Sequence, residues 1–319
     1  MKKNTFKMIV SLLLAVVLTT GLLAGCAGTP AQSETPAAAE TPAQTETPAQ
    51  TETPAAEAPA EETPAAEEEA PAESAEPATL LEKIQQSGKL VVGTEAQYPP
   101  YEFKDLDASF TGCDMWLAQQ IADSLCVELE VVDMAFDGII PAVQSGQVDI
   151  GIAAFTKTPE RAEEIDFSDL YETSNQLLIV KTGNAELYSN KEALAGQKVG
   201  AQKGTIQSQL IQSALPDSEL FELEKYPALA LEVQNGNIAG LVVDQAVGES
   251  LVATSDGGLE VANFTFTAEE ASFGKACIIA KGNESFVEAV NAVIAQVTSD
   301  GSYQKAYDDA VALAASMGL

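Results

Sequence analysis

The chain of 319 residues carries 16 Lys and Arg against 48 Asp and Glu, four Cys and no His, for a formal net charge of −32. A charge of that sign and size repels nucleic-acid phosphates and anionic membrane surfaces. The missing His excludes the commonest general base and metal ligand, and with them the usual Ser/His/Asp and Cys/His constellations.

In chain order, three materials follow one another. Residues 1–26 hold Lys2, Lys3 and Lys7 and no acid, and residues 8–23 are apolar except for Ser11, Thr19, Thr20 and Gly21. A charged start followed by an apolar run is the pattern of a secretory signal. The run falls short of the roughly 20 clean apolar residues a membrane span needs. It ends in Leu23-Ala24-Gly25-Cys26, which resembles the bacterial lipobox. That resemblance implies a signal peptide over 1–25 and a lipid on Cys26, the new N-terminus. No later stretch is long and apolar enough to cross a bilayer.

Residues 27–79 contain nine of the 15 prolines and 12 Glu, with no Lys, Arg or aromatic residue. Pro30, Pro36, Pro42, Pro48 and Pro54 recur every six residues, mostly in a Glu-Thr-Pro-Ala frame. Repeats without a side chain larger than Ala to bury cannot build a core, so residues 26–79 are expected to form a disordered tether. Extended, it reaches on the order of 150 Å; as a coil, about 40 Å.

Residues 80–319 carry 13 Lys and Arg against 36 Asp and Glu, a net charge of −23. Short apolar runs alternate with helix-patterned stretches through 90–93, 115–125, 127–132, 139–143 and 149–153. The alternation resumes at 198–201, 206–215, 228–233, 240–243 and 246–252. Such alternation with β-branched strands predicts an α/β fold with parallel sheets flanked by helices. Apolar residues at 286, 287, 290, 293, 294 and 297 predict an amphipathic helix, broken at Asp300-Gly301 and followed by a last helix. Cys113 and Cys126 flank a helix of about twelve residues, which at 1.5 Å per residue sets them too far apart for a disulfide. Cys113, Cys126 and Cys277 are therefore expected to be free and mostly buried thiols.

The chain has a single arginine, Arg161, in Phe155-Thr156-Lys157-Thr158-Pro159-Glu160-Arg161. Thr158 reads as an N-cap and Pro159 as the first helical residue, just past a strand ending near Ala153. Backbone N–H groups at such a helix start favour an anion, and a guanidinium fork grips a carboxylate in a way that Lys cannot. A surface pair with Glu163 or Glu164 is the alternative role. A chain that otherwise uses 15 Lys points to carboxylate binding.

Val92-Gly93-Thr94-Glu95-Ala96-Gln97-Tyr98-Pro99-Pro100-Tyr101-Glu102-Phe103 resembles the opening of the family 3 extracellular solute-binding proteins, amino-acid receptors of ABC importers. Ala135-Phe136-Asp137-Gly138-Ile139-Ile140-Pro141-Ala142, residues 156–161 and Ile165-Asp166-Phe167-Ser168 continue the likeness. Val199-Gly200-Ala201-Gln202-Lys203-Gly204-Thr205 and Asp300-Gly301-Ser302-Tyr303-Gln304-Lys305 complete it. The resemblance implies a two-lobed, type II periplasmic-binding-protein-like α/β flytrap with two crossing hinge segments, near 171–175 and 270–273. Lobe 1 would take 80–173 with 272–319, and lobe 2 would take 174–271.

Carried over residue by residue, it implies that Arg161, with Thr156 and the backbone at Thr205, holds an α-carboxylate. Asp244 and the carbonyl of Ala154 take the α-ammonium, and Tyr98 and Phe136 flank the ligand side chain. Glu95 and Gln202 read the distal group, with Phe155 as a further aromatic candidate. The ligand implied is a polar L-amino acid, neutral or basic, and no cofactor or metal is called for. The implied partners are the permease and ATPase subunits of an importer, met by a monomer anchored through Cys26 at the outer face of the cell membrane. Rival readings are a dehydratase-like exported enzyme on the same fold and a surface sensor. Ser302-Tyr303-Gln304-Lys305 matches a Ser-x-x-Lys nucleophile pattern, but it lies in the last helix within a stretch shared with the family.

Overall fold

The computed structural model describes residues 79–271 and 273–319, all within one compact unit of the chain. The signal segment, Cys26 and the tether up to residue 78 lie outside the described residues. Thr79 caps the first helix, Leu80–Ser87: its hydroxyl accepts from the Glu82 amide, and the Glu82 carboxylate accepts from the Thr79 amide. This reciprocal pair satisfies two N–H groups that a helix start leaves bare.

Two five-stranded sheets follow. The first runs in the order Glu128–Asp133, Lys89–Thr94, Ile150–Gly151, Ile278–Ile279, Asp166–Phe167. The second runs Glu219–Leu223, Lys198–Gln202, Gly240–Asp244, Gln176–Lys181, Leu259–Val261. The expected alternation is present, but neither sheet is wholly parallel. In each, the first three strands are parallel and the remaining two join antiparallel. The reason is the connectivity. Gln176–Lys181 and Ile278–Ile279 each enter their sheet directly from a crossing segment and so arrive against the direction set by the helix-connected strands. The crossing segments themselves pair as an antiparallel ribbon, Glu172–Ser174 with Phe273–Lys275.

Strands such as Gly240–Asp244 are buried along their whole length, as expected where helices cover both faces. The helix Glu284–Ser299 buries Phe286, Val290, Val293, Ile294 and Val297, the three- and four-residue spacing read from the sequence. Each such side chain removed from water contributes roughly 1.5–3 kcal/mol. All three cysteines are free, with Cys113 and Cys277 buried. Cys126, expected with them in the interior, is exposed: it follows the helix Cys113–Ser124 with a left-handed φ of 59°, which turns the chain outward.

Candidate functional site

Parallel strands deliver their carboxyl ends to one place, and ligand sites in open α/β sheets lie beyond those ends. Here both sheets do so, facing each other. Lys89–Thr94 leads to Glu95, and Ile150–Gly151 leads to Ala153, Ala154 and Thr156. Lys198–Gln202 ends on Gln202, and Gly240–Asp244 ends on Asp244. Together they line a narrow cavity, with Tyr98, Glu102, Phe136, Arg161, Thr205, Ile206, Gln207 and Tyr226 completing its wall.

Nine of the ten ligand-contact residues expected from the sequence are on that wall. Phe155 is not. It is fully buried behind Phe136, the two rings stacked with centroids 4.6 Å apart. The wall also holds Glu102, Gln207 and Tyr226, which the sequence reading passed over. No spacing rule singles them out, because what makes them wall residues is the approach of the two sheets.

Arg161 lies in the short helix Pro159–Glu164, started by Thr158 as read from the sequence, with the Thr158 hydroxyl accepting from the Arg161 amide. Six residues make too small a dipole to hold an anion, so the guanidinium is the feature that matters. It is 8% exposed, donates to the carbonyls of Thr156 and Gly204 at 3.0 Å each, and rests against the Phe136–Phe155 stack. Burial pulls its pKa down to about 10. No carboxylate pairs with it among the described residues. Two parts of its fork are fixed by backbone oxygens, and its full charge is left for an anion.

Asp244 occupies the N-cap position of the helix Gln245–Thr254, but its side chain makes no cap bond. It points into the cleft and accepts from Tyr101 Oη and Gln176 Nε2 at 3.4 Å, from Lys275 Nζ at 2.5 Å, and from Ser174 Oγ. Lys275 is buried with it and sits 4.4 Å from the centroid of the Tyr101 ring. Burial pushes the Lys275 ammonium down, but Asp244, Glu172 and Asp114 outweigh that and leave it raised. The sequence signal for Lys275 was present: one charge inside the apolar stretch 273–280.

The remaining wall is acidic. Burial raises Glu95 to about 7, against the opposing pull of Lys225 at 3.6 Å and Gln202 at 3.4 Å. Burial also pushes Glu102 well above the usual carboxylate range, with Asp114 and Glu95 adding to the shift. Oε1 of Glu95, Oε2 of Glu102 and the Tyr226 hydroxyl are buried without a hydrogen-bond partner. Buried polar atoms are rarely left so. Ala154 backs this wall with a left-handed φ of 47° and donates its amide to Asp114 Oδ2 at 2.7 Å. Contacts cross the cleft at several points, from Arg161 to Gly204, Gln202 to Glu95, and Lys203 to Asp137 at 2.8 Å.

The profile of the bacterial extracellular solute-binding proteins, family 3, matches residues 90–311. The chain belongs to that family. The L-cystine-binding protein TcyJ of Escherichia coli (strain K12) is 31% identical over 225 residues, covering 70% of this chain and 83% of TcyJ. Among solved structures, the amino-acid ABC transporter substrate-binding protein AbpA from Streptococcus pneumoniae, bound to L-arginine, is 33% identical with a TM-score of 0.70. It covers 73% of this chain and 98% of AbpA. The ancestral amino acid-binding protein AncCDT-1, a precursor of cyclohexadienyl dehydratase, is 35% identical with a TM-score of 0.66, covering 73% of this chain and 99% of its own. As a family 3 member the chain has the two-lobed type II architecture that its two sheets and crossing ribbon display.

Ser302 and Lys305 each bond elsewhere rather than to one another. Lys305 is 76% exposed and bonded to Asp309 one turn on, and Ser302 opens the helix Ser302–Met317 with its hydroxyl on the Val297 carbonyl.

Proposed function

We propose that the chain is the extracytoplasmic receptor of an ABC importer for a polar L-amino acid, neutral or basic. It binds its cargo between two lobes and presents it to membrane permease and ATPase subunits. Arg161 carries this reading: a buried guanidinium, positioned by two backbone carbonyls, with no acid of its own. A carboxylate brought from outside completes it.

Lobe 1 consists of 80–173 with 272–319, lobe 2 of 174–271, and the ribbon is the hinge. Arg161 and Thr156 hold the α-carboxylate beside Thr205. The α-ammonium faces the Ala154 carbonyl and Asp244. Tyr98 and Phe136 enclose the side chain, where a cationic group gains from the rings as well. Glu95 and Gln202 read its distal end. Glu102 Oε2 has no hydrogen-bond partner and Glu95 Oε1 has only Lys225 at 3.6 Å, which favours a side chain that donates hydrogen bonds, and a relative that binds L-arginine supports a basic one. Ligand shifts the population towards the closed form because it touches both lobes. The protein works as a monomer held at the outer face of the cell membrane through a lipid on Cys26.

A second reading, an exported enzyme, is favoured by one observation: buried carboxyls raised towards neutrality, such as Glu95, are what general-acid chemistry requires. A thermal-shift screen against the twenty amino acids, ornithine, citrulline and cystine separates the two. At about 100 times its Kd a ligand adds roughly 2.7 kcal/mol to stability. Shifts with a few polar amino acids, lost in Arg161→Ala, are the expected result. A flat screen on folded protein removes the receptor reading.

A further inference from the structure

The ion pair Lys275–Asp244 stands where the receptor reading brings an ammonium. An ionised carboxylate offers about four acceptor positions. Three have donors here: Lys275 Nζ and Gln176 Nε2 on Oδ2, and Ser174 Oγ on Oδ1; the single Tyr101 hydroxyl proton, 3.4 Å from Oδ1, has a nearer acceptor in Glu172 Oε1 at 2.9 Å. Lys275 is itself fixed. Its backbone pairs with Glu172 in the crossing ribbon and bridges to Thr156, and both charged side chains are at most 3% exposed. An incoming ammonium therefore meets an acceptor that already holds an ammonium, one tethered to the chain and so present at high effective concentration. Exchanging one for the other gains little, and a cationic ligand group also feels Lys275 as a like charge. A hydroxyl has neither difficulty, since it is uncharged and can donate to the Asp244 carboxylate on the cavity wall without displacing Lys275.

We propose that Lys275 is a specificity-determining residue that neutralises Asp244 from within, removes most of the site's preference for an α-ammonium, and so admits 2-hydroxy carboxylates alongside the matching 2-amino carboxylates. This rests on the reading in which Arg161 holds the carboxylate. It concerns only what the cleft asks of the neighbouring substituent.

The test is calorimetric titration of the full chain with three ligand pairs: L-arginine and L-argininic acid, L-glutamine and its 2-hydroxy counterpart, and L-histidine and imidazole-lactic acid. The proteins are wild type, Lys275→Met, and the double variant Asp244→Asn with Lys275→Met. In wild type, members of a binding pair are expected within about tenfold of each other, because a charge-assisted bond to an open buried carboxylate would separate them by more. Lys275→Met leaves Asp244 charged and in need of a cation, so the amino-to-hydroxy ratio rises by about tenfold or more. The double variant carries no charge at this point and returns the ratio towards the wild-type value. A merely structural Lys275 would alter affinity for both members alike and leave the ratio unmoved, which overturns the assignment. A wild-type ratio above about a hundred overturns it too, without touching the receptor reading. If Lys275→Met does not fold, the wild type and the double variant still decide. Binding of neither class to wild type overturns the receptor reading and this assignment with it.

Discussion

Arg161 on the cleft wall and Lys275 bonded to the wall residue Asp244 are both buried cations, and the protein treats them in opposite ways. Arg161 is held by two carbonyl oxygens that carry only partial charge, so no acid among the described residues cancels its positive charge. Lys275 is held by a full carboxylate with Glu172 and Asp114 close by, so its charge is already answered inside the fold. The difference lies in the partners, since both side chains are almost equally removed from water. A buried cation marks a ligand site when its neighbours fix its geometry without cancelling its charge. It marks a tuning device when its neighbours do both.

The comparison is broken most severely by Asp244→Ala, which leaves Lys275 in the interior with its nearest acid gone. Removing one partner of a buried pair costs about 3–5 kcal/mol, for a domain of this size a fall of roughly 10 °C in melting temperature. The double variant Asp244→Asn with Lys275→Met removes both charges, and its melting temperature is expected to stay much nearer the wild type. Scanning calorimetry of the two variants side by side decides. If Asp244→Ala melts like wild type, Glu172 and Asp114 suffice to hold the ammonium, and Asp244 is free after all for an external cation.

Gly204→Ala tests the Arg161 end. Gly204 has a φ of +76°, which side chains adopt only with strain, and a Cβ there would lie 2.8 Å from Asp137 Cβ and 3.3 Å from its Cα. Asp137 lies in the first turn of the helix Phe136–Gln144 on the opposite side of the cleft, so the collision exists only where the two sides meet. The strain alone costs on the order of 1 kcal/mol in any conformation. The clash penalises closure in addition and withdraws the Gly204 carbonyl from Arg161. A loss of affinity of about tenfold or more, with a melting temperature lowered by only a few degrees, is the expected outcome. Unchanged affinity by titration would mean that ligand is held without the sides approaching this closely.

These residues also mark how far the sequence could be read. A lone arginine two places after a Thr-Pro helix start is visible in one dimension, because the N-cap, the proline and the fork each act locally. So is the α/β alternation. The antiparallel strands were not legible, since Gln176–Lys181 has the composition of any buried strand and its direction depends on the crossing that precedes it. Asp244 could be placed at the end of its strand, but whether its charge was available could not, because the answer lies 31 residues further on in Lys275. Phe155 illustrates the same limit from the other side. Next to Thr156 in sequence, it faces the core rather than the cavity, and only the stack with Phe136 reveals this.

Glu95 sharpens the comparison from the acidic wall, with the smallest effect. Burial holds its carboxyl at about 7 in the folded chain against an ordinary value of 4.5, so folding takes up a proton between those pH values. Its contribution to stability is then full below pH 4.5 and is lost as pH rises through 7. Glu172, raised by burial to about 7, and Asp114, raised to about 6, act in the same direction. Glu95→Gln removes one of the three, and the decline in urea-unfolding free energy between pH 5 and 8 becomes shallower by at most about 1.4 kcal/mol per pH unit. A bound cation reverses the sense. Beside a guanidinium Glu95 stays charged, so L-arginine affinity climbs over the same pH range in the wild type and flattens in Glu95→Gln. Parallel stability slopes in the two proteins would mean that Lys225 and Gln202 already keep Glu95 ionised. Glu95 would then resemble the Asp244 end, answered from within, and Arg161 would be left as the cation on the cleft wall whose charge no acid among the described residues answers.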